Sequence, residues 1–253
     1  GDIQFEGTSI SGMKGKALLP YRQQIQMMFQ DPMESLNSRH TVGDILEEPF
    51  IVQKLGDSPW RKQRVAELLD IVGLPARSTS RYPFEFSGGQ RQRIGIARSI
   101  ATNPKLVVCD EPVSALDVSI QSQILNLLID LQREFQLSYL FIAHDLAVVK
   151  HISDRIAIMY LGKIVESGDS DEIYRNPRHP YTRSLISAVP IANPHHRANR
   201  QVLEGDVPSP IDPPSGCSFH PRCPHVKDRC KHDVPKLRNL ADAHNIACHF
   251  DLD

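Results

Sequence analysis

Two adjacent carboxylates follow a short apolar run near the middle of the 253-residue chain. Asp110 and Glu111 come directly after residues 106–109, and Pro104 precedes the run. Such a run predicts a buried parallel strand, and open α/β sheets bind ligands at the carboxyl ends of these strands. There Asp110 could hold Mg²⁺ through water, and Glu111 could polarise the water that attacks a phosphate. A strand that merely ends on polar residues is an equally good interpretation of this pair taken alone.

A pair of glycines opens a predicted helix shortly before this strand. Ser87, Gly88, Gly89 and Gln90 precede the helical run 91–101. Glycines let the backbone approach a ligand closely, and the free N–H groups of a helix N-terminus attract an anion. The alternative is a glycine turn that only starts the helix.

Three further polar residues stand where predicted strands or turns end. Gln30 follows one predicted strand and could bridge a metal ion and a neighbouring surface. His144 follows another and could contact a γ-phosphate, although a lone histidine there is more often structural. Asp117 ends a short segment that follows Glu111.

The elements that would position these side chains alternate between strands and helices. Besides the strand before Asp110, residues 25–29 predict a strand, and 139–143 and 156–160 predict buried strands. Helical spacing of apolar residues predicts two helices, marked by Val65, Leu68, Leu69 and Val72 before Gly73, and by Ile120, Ile124, Leu127, Leu128 and Leu131. This order of elements predicts an α/β sheet with right-handed crossovers.

These segments, in this order, resemble the motifs of the ABC-type ATPases. The matches are the signature motif at residues 86–90, with Phe86 where leucine is commonest, the Walker B strand and catalytic glutamate at 106–111, the D-loop at 114–117, the Q-loop glutamine at Gln30 and the switch histidine at His144. Five motifs in the family's order make a chance resemblance negligible. The resemblance implies an α/β ABC-type nucleotide-binding domain, with a RecA-like parallel sheet core, antiparallel strands and a helical subdomain.

The resemblance also implies which residues bind and hydrolyse ATP with Mg²⁺. Glu111 and His144 would be catalytic, and Asp110 and Gln30 would hold the Mg²⁺ ion. In the family, two ATPase subunits sandwich two nucleotides, and the signature of one subunit faces the phosphate loop of the other. The residues expected at this boundary are Ser87, Gly88, Gly89, Gln90 and Asp117.

Two other segments indicate a narrower family. Residues 28–36 and 176–182 resemble the ATPases of dipeptide and oligopeptide importers, and the resemblance covers essentially the whole chain. It implies four segments: a partial N-terminal core with antiparallel strands at 1–30, a helical subdomain with the signature at 31–100, a RecA-like core at 101–190, and a linker with a cysteine-rich extension at 191–253.

Membership of this family implies partners and a location. The expected partners are a second ABC ATPase subunit (a related, non-identical chain), two membrane-spanning permease subunits that dock around Gln30 and residues 31–100, and an extracytoplasmic substrate-binding protein. The chain would then be peripheral, at the cytoplasmic face of the bacterial inner membrane. Peptide uptake is the expected function, with nickel or antimicrobial peptides as alternative substrates.

The chain departs from the family pattern at the phosphate-binding loop. An ABC ATPase needs Gly-x-x-x-x-Gly-Lys-Ser/Thr, the Walker A motif, whose amides and lysine hold the β- and γ-phosphates. The two Gly-Lys pairs, Gly15-Lys16 and Gly162-Lys163, lack the earlier glycine and are followed by Ala17 and Ile164. We expect that the family's N-terminal part is missing from this chain. A non-catalytic subunit that only completes a partner's ATP site is the alternative.

Four of the five cysteines lie near the C-terminus, at Cys217, Cys223, Cys230 and Cys248. No export signal is visible, and clustered cysteines in a reducing compartment more often bind metal than form disulfides. Four thiolates could hold a [4Fe-4S] cluster, which the resemblance favours, or a zinc ion, although their spacing is not a zinc-finger pattern. Because few aliphatic residues lie between 204 and 235, we expect the metal to replace a hydrophobic core there.

The composition argues against two classes of function. The 29 basic and 30 acidic residues balance, so no nucleic-acid partner is expected. The apolar runs are far shorter than the about 20 residues that cross a bilayer, so a membrane role would need a partner. A third candidate, a soluble ABC protein that acts on ribosomes or DNA, is weakened by this charge balance and by the C-terminal position of the cysteines.

Overall fold

The structure is a computed structural model that describes residues 1–31, 35–189, 203–241 and 243–251. It divides into two compact units, residues 1–144 and 145–253. The polar part of the predicted linker, residues 193–200, lies outside the described residues, as do residues 32–34 of the importer-like segment. The four segments predicted from the sequence have other boundaries and stay a prediction.

The first unit is built on a parallel sheet. Its strands are β3 (Ile25–Met28), β4 (Leu106–Asp110) and β5 (Ser138–Ile142), hydrogen-bonded in that order. Both pairs are parallel, with Met28 opposite Cys109 and Asp110 opposite Ile142. A short antiparallel hairpin, β1 (Gln4–Phe5) and β2 (Thr8–Ser9), precedes the sheet. The predicted parallel sheet is thus confirmed, and its strands end on the candidate site residues.

The α-helices of the first unit are α1 (Leu19–Gln24), α2 (Val42–Val52), α3 (Ser58–Ile71), α4 (Gly88–Ile100) and α5 (Val118–Phe135). Of these, α3 and α5 match the helices that the apolar spacing of the sequence predicts. In α3 the buried face holds Val65, Leu68 and Leu69. The helix ends where Gly73 adopts a φ of +71°, and the Leu74 N–H donates a hydrogen bond of 2.8 Å to the Leu69 carbonyl. This left-handed glycine end confirms the predicted stop.

The second unit contains an antiparallel sheet of four strands. These are β6 (Arg155–Tyr160), β7 (Lys163–Asp169), β8 (Arg238–Ala241) and β9 (His244–Ile246), in the order β6-β7-β9-β8. The helices are α6 (Leu146–Ile152), α7 (Ser170–Arg175), α8 (Pro180–Ser187) and α9 (Asp228–His232). Within the described parts of the chain, no helix is long and apolar enough to cross a membrane.

Residues 156–160 form the third predicted strand, but it lies in the antiparallel sheet of the second unit. This segment, in β6, pairs antiparallel with β7. Ile156, Ile158 and Tyr160 are buried, whereas Met159 is exposed. This alternation is typical of a strand with one covered face, and a short apolar run alone does not reveal which strand it pairs with.

The C-terminal segment shares the hydrophobic core of the antiparallel sheet. Phe219 is fully buried and packs with Ile156, Ile158, Tyr160, Val165 and Ile173. Its ring centroid lies 5.3 Å from that of Tyr160 and 5.5 Å from that of Tyr181. Strand β9 extends the sheet by pairing with β7 at Glu166 and Ile246. One large aromatic side chain and added sheet pairing supply the packing that the count of aliphatic residues did not reveal.

Candidate functional site

The candidate catalytic residues meet at one edge of the parallel sheet. Glu111 follows β4, Gln30 follows β3, and His144 follows β5. Gln30 Nε2 donates a hydrogen bond of 3.2 Å to Glu111 Oε2, and His144 Nδ1 lies 3.2 Å from the same oxygen. Neighbouring parallel strands end side by side, so residues far apart in sequence converge there. The structure thus brings together three of the predicted site residues.

The backbone of Glu111 has an unusual conformation. Its φ is +45°, in the left-handed region that costs a non-glycine residue roughly 1–3 kcal/mol. Its N–H donates to the Ile142 carbonyl at 3.0 Å, which continues the sheet pairing one residue beyond β4. Strain of this kind persists only where surrounding contacts hold it, and it concentrates at functional sites. Here it turns the chain sharply at the candidate catalytic carboxylate.

The two predicted aspartates are not joined to this group. Asp110 ends β4, is half-buried and lies opposite Ile142 in the sheet register. Asp117 is exposed and occupies the N-cap position of α5, although its side chain makes no capping hydrogen bond. Both carboxylates are therefore available to a ligand, and their assigned roles stay predictions.

The glycine-containing motif forms the start of α4. Ser87 Oγ accepts from Gln90 N–H at 3.4 Å, and Gln90 Oε1 accepts from Ser87 N–H at 3.1 Å. This reciprocal capping box leaves the N–H groups of Gly88 and Gly89 without an acceptor in the described chain. Ser87, Gly88 and Gln90 are exposed. The motif thus presents free donors at the N-terminus of a 13-residue helix, an arrangement that attracts anions.

Comparison with known proteins identifies the same kind of protein as the site geometry suggests. Residues 1–114 match the family "ABC transporter", and residues 165–230 match "Oligopeptide/dipeptide transporter, C-terminal region". The chain is 51% identical to the oligopeptide transport ATP-binding protein AppF of Bacillus subtilis, covering 99% of this chain and 77% of that protein. This chain is an ABC-type ATPase of the oligopeptide/dipeptide transporter family. It is likewise 53% identical to the oligopeptide transport ATP-binding protein OppF of Escherichia coli, covering 98% of this chain and 75% of that protein.

Solved structures of ABC proteins share the fold of this ATPase. One is a dimeric ATP-binding cassette in a post-hydrolysis state with bound ADP and Pi, with a TM-score of 0.60 and 27% identity over 67% of this chain and 73% of that chain. Another is cbiO1 of Clostridium perfringens, part of an ABC transporter complex, with a TM-score of 0.61 and 25% identity over 68% of this chain and 67% of that one. The predicted nucleotide-binding-domain fold is therefore confirmed.

The four C-terminal cysteines border one cavity in the second unit. Its lining includes Cys217, Cys223, Cys230, Cys248, His179, His220, His225 and His249. Burial raises the pKa of the Cys223 thiol to about 11, and the neighbouring thiols add to this shift. Burial also raises the pKa values of Cys217 and Cys248. All are free thiols, so no disulfide explains their proximity.

The cavity does not have the geometry of a single-ion site. Among the residues that the structure describes, no three histidine, cysteine, aspartate or glutamate side chains form a group that could hold a metal ion. Zinc needs its sulfur ligands about 2.3 Å from a common centre, so the predicted zinc alternative has no structural support. The iron–sulfur cluster has no donor group in place either and stays a proposal, which rests on the cavity that the thiols share.

A buried carboxylate that the sequence analysis missed organises the second unit. Glu166 is fully buried in β7. Its Oε1 accepts from Arg178 N–H and lies near His244 Nε2, both at 2.7 Å, and its Oε2 accepts from His179 N–H at 2.9 Å. His179 in turn caps α8, because its Nδ1 accepts from Tyr181 N–H at 3.2 Å. Strand β7 also contains Lys163, Ser167 and Asp169, so its sequence carries no signal that Glu166 is buried.

Proposed function

We propose that this chain is an ATP-binding subunit that couples ATP hydrolysis to the uptake of dipeptides or oligopeptides. The observation that carries the proposal is the contact of Gln30 and His144 with one oxygen of Glu111, at the sheet edge of a chain about half identical to oligopeptide transport ATP-binding proteins. Deleting the gene should abolish uptake of a labelled tripeptide, and the intact gene should restore it. Retained peptide uptake with lost nickel uptake would reassign the substrate.

The residues at the sheet edge suit hydrolysis of a nucleotide phosphate. Glu111 would accept a proton from the attacking water, while His144 and Gln30 hold its carboxylate in place. Hard oxygen ligands suit Mg²⁺, and Asp110 and the Gln30 amide oxygen supply them. When bound, Mg²⁺ neutralises phosphate charge. Ser87 and the free N–H groups of Gly88 and Gly89 would contact a γ-phosphate held by a second ATPase subunit, with Gln90 and Asp117 beside it.

We further propose that the phosphate-binding loop is carried on a strand and helix outside these 253 residues. No Gly-x-x-x-x-Gly-Lys-Ser/Thr sequence occurs in them. In the described first unit, β5 pairs only with β4, so the other edge of β5 is unpaired. Leu140 and Ile142 of this strand are apolar and yet exposed. Parallel strands are ordinarily covered on both faces and paired, so this edge suits a further strand. The intact mass and N-terminal sequence of the native polypeptide test this directly.

The alternative function is a subunit that only completes the ATP site of a partner. A native polypeptide without the phosphate loop would favour it, since the exposed start of α4 needs no loop of its own chain. The complete assembly that we propose contains a related second ATPase, two membrane-spanning permeases and an extracytoplasmic binding protein, with this chain at the cytoplasmic face. Affinity purification under mild detergent should recover a complex of these components.

We also propose a [4Fe-4S] cluster at Cys217, Cys223, Cys230 and Cys248. A cluster takes one thiolate per iron, so its four cysteines need not converge on one point as around a single ion. The support is the cavity that all four thiols share. Anaerobically purified protein should contain iron and inorganic sulfide, and Cys230→Ser should lose both. Absence of iron and sulfide from the anaerobic wild-type protein would overturn this assignment.

A further inference from the structure

The second glycine of the signature motif lies against a side chain of its own subunit. A Cβ atom added to Gly89 would lie 2.6 Å from Cγ2 of Ile120, closer than such atoms approach in proteins. A Cβ atom on Gly88 would meet only Leu116 Cδ2, at an ordinary 3.6 Å. Glycine is therefore required at position 89 by packing within the chain, before any nucleotide is considered.

Ile120 cannot easily move away from this contact. It lies in the first turn of α5, and a β-branched side chain in a helix has one strongly preferred rotamer. Its Cγ2 methyl is bonded directly to Cβ, which lies 3.9 Å from the same added atom. Moving the methyl away would therefore require an unfavourable χ1 angle or a shift of α5 itself.

The segment that leads to Ile120 is tied to the catalytic carboxylate. Ser114 N–H and Ser114 Oγ both donate to the Glu111 carbonyl, at 3.3 and 3.1 Å. Gln121 Nε2 donates to the Val113 carbonyl at 2.9 Å, which joins the first turns of α5 to the same segment. These hydrogen bonds therefore link Glu111 to Gln121, the neighbour of Ile120 in the chain. Ile120 in turn contacts the signature motif.

We propose that Ile120 is a positioning residue that fixes the N-terminus of α4 relative to Glu111. The proposal rests on the function proposed above, in which the signature donors serve one nucleotide and Glu111 acts on another. The N–H groups of Gly88 and Gly89 would face the nucleotide of the partner subunit. Through Ile120, they keep a fixed position relative to Glu111 of the same chain. Leu116 makes a looser second contact at Gly88.

A double-mutant cycle tests the packing part of the proposal. Gly89→Ala should lower the Tm of the purified chain by about 5 °C, because overpacking a fixed contact is destabilising. Ile120→Leu keeps the side-chain volume but removes the methyl from Cβ, so Gly89→Ala/Ile120→Leu should recover most of the loss. Gly95→Ala is the matched control on the same helix, since nothing lies within 4 Å of a Cβ added to Gly95. The Tm of this variant should not fall below that of the wild type. No recovery in the double variant would overturn the proposal.

A kinetic experiment separates positioning from stability. Ile120→Ala creates no clash and should remain folded at 25 °C, as hydrogen exchange can verify. In the assembled transporter it should lower kcat for ATP by roughly tenfold, because displacement of a catalytic group by about 1 Å can cost about a hundredfold. KM for ATP should change little. An unchanged kcat would overturn the positioning role of Ile120. An assembled wild-type transporter without ATPase activity would instead overturn the proposed function, while the double-mutant cycle on Tm would still test the packing.

Discussion

Glu111 and His144 are held in contact at the carboxyl edge of the sheet, with His144 Nδ1 3.2 Å from Glu111 Oε2. Gln30 Nε2 contacts the same oxygen at 3.2 Å. The other oxygen, Oε1, has no hydrogen bond within the described residues and is free to meet a water molecule. One carboxylate oxygen is thus held by two neighbours while the other stays open, an arrangement that suits the general base proposed for Glu111.

Replacing the carboxylate tests this division of roles. Glu111→Gln keeps the size of the side chain but removes its basicity, so kcat for ATP in the assembled transporter should fall about a hundredfold or more. ATP binding should persist, because the amide leaves the site intact. Glu134→Gln, on an exposed side chain of α5, is the control. Wild-type turnover in Glu111→Gln would show that another group activates the water.

The shared oxygen predicts that losses at Gln30 and His144 will not combine independently. His144→Ala and Gln30→Ala should each lower kcat, and the double variant should lose less than the product of the two effects, since both hold one group. ATPase rates of the four proteins measure the coupling. His151→Ala, another exposed histidine, should be neutral. Independent, multiplicative losses would mean that the contacts to Glu111 do not matter.

Gly216 should be essential for the fold of the cysteine-rich segment. Its φ is +63°, and a Cβ there would lie 2.5 Å from the Cys230 carbonyl oxygen. Gly162 has a similar φ of +74° with open space around it, so Gly162→Ala isolates the conformational cost, about 1–2 kcal/mol. Gly216→Ala should cost about 1–3 kcal/mol more, because of the added clash. Faster labelling of Cys217 and Cys230 by a thiol reagent would report the loosening, and equal labelling in both variants would contradict it.

The buried His179 should make the second unit sensitive to mild acid. Burial lowers its pKa from 6.5 to about 4, so the unfolded chain takes up a proton more readily than the folded one. Stability from the neutral ring is complete above about pH 6.5 and is lost as the pH falls toward 4, by up to about 3 kcal/mol. Hydrogen exchange of the α8 amides between pH 4 and 7 should show this slope after correction for intrinsic exchange. His179→Asn keeps a capping side chain and should flatten the slope.

Local features of the fold could be predicted from the sequence because their causes are local. The apolar run before Asp110 predicts β4, and the spacing of Val65, Leu68 and Leu69 predicts α3 with its end at Gly73. The start of α4 follows from Ser87 and Gln90, a pair whose spacing permits reciprocal capping. Sheet pairing is less accessible, because hydrogen bonds between strands join residues distant in sequence. For that reason the apolar run at 156–160 predicts a strand but not its antiparallel pairing with β7.

By itself, the sequence determined which side chains could carry the chemistry and the family to which the chain belongs. Motifs are recognised from residue types, spacing and order, and none of these requires knowledge of contacts. Only the tertiary structure decided how these side chains meet. It placed Gln30 and His144 on one oxygen of a strained Glu111, buried Glu166 beside His179, and set Ile120 against Gly89. Each of these relationships depends on where two separate elements pack, and packing is decided by the burial of the whole chain rather than by any single segment.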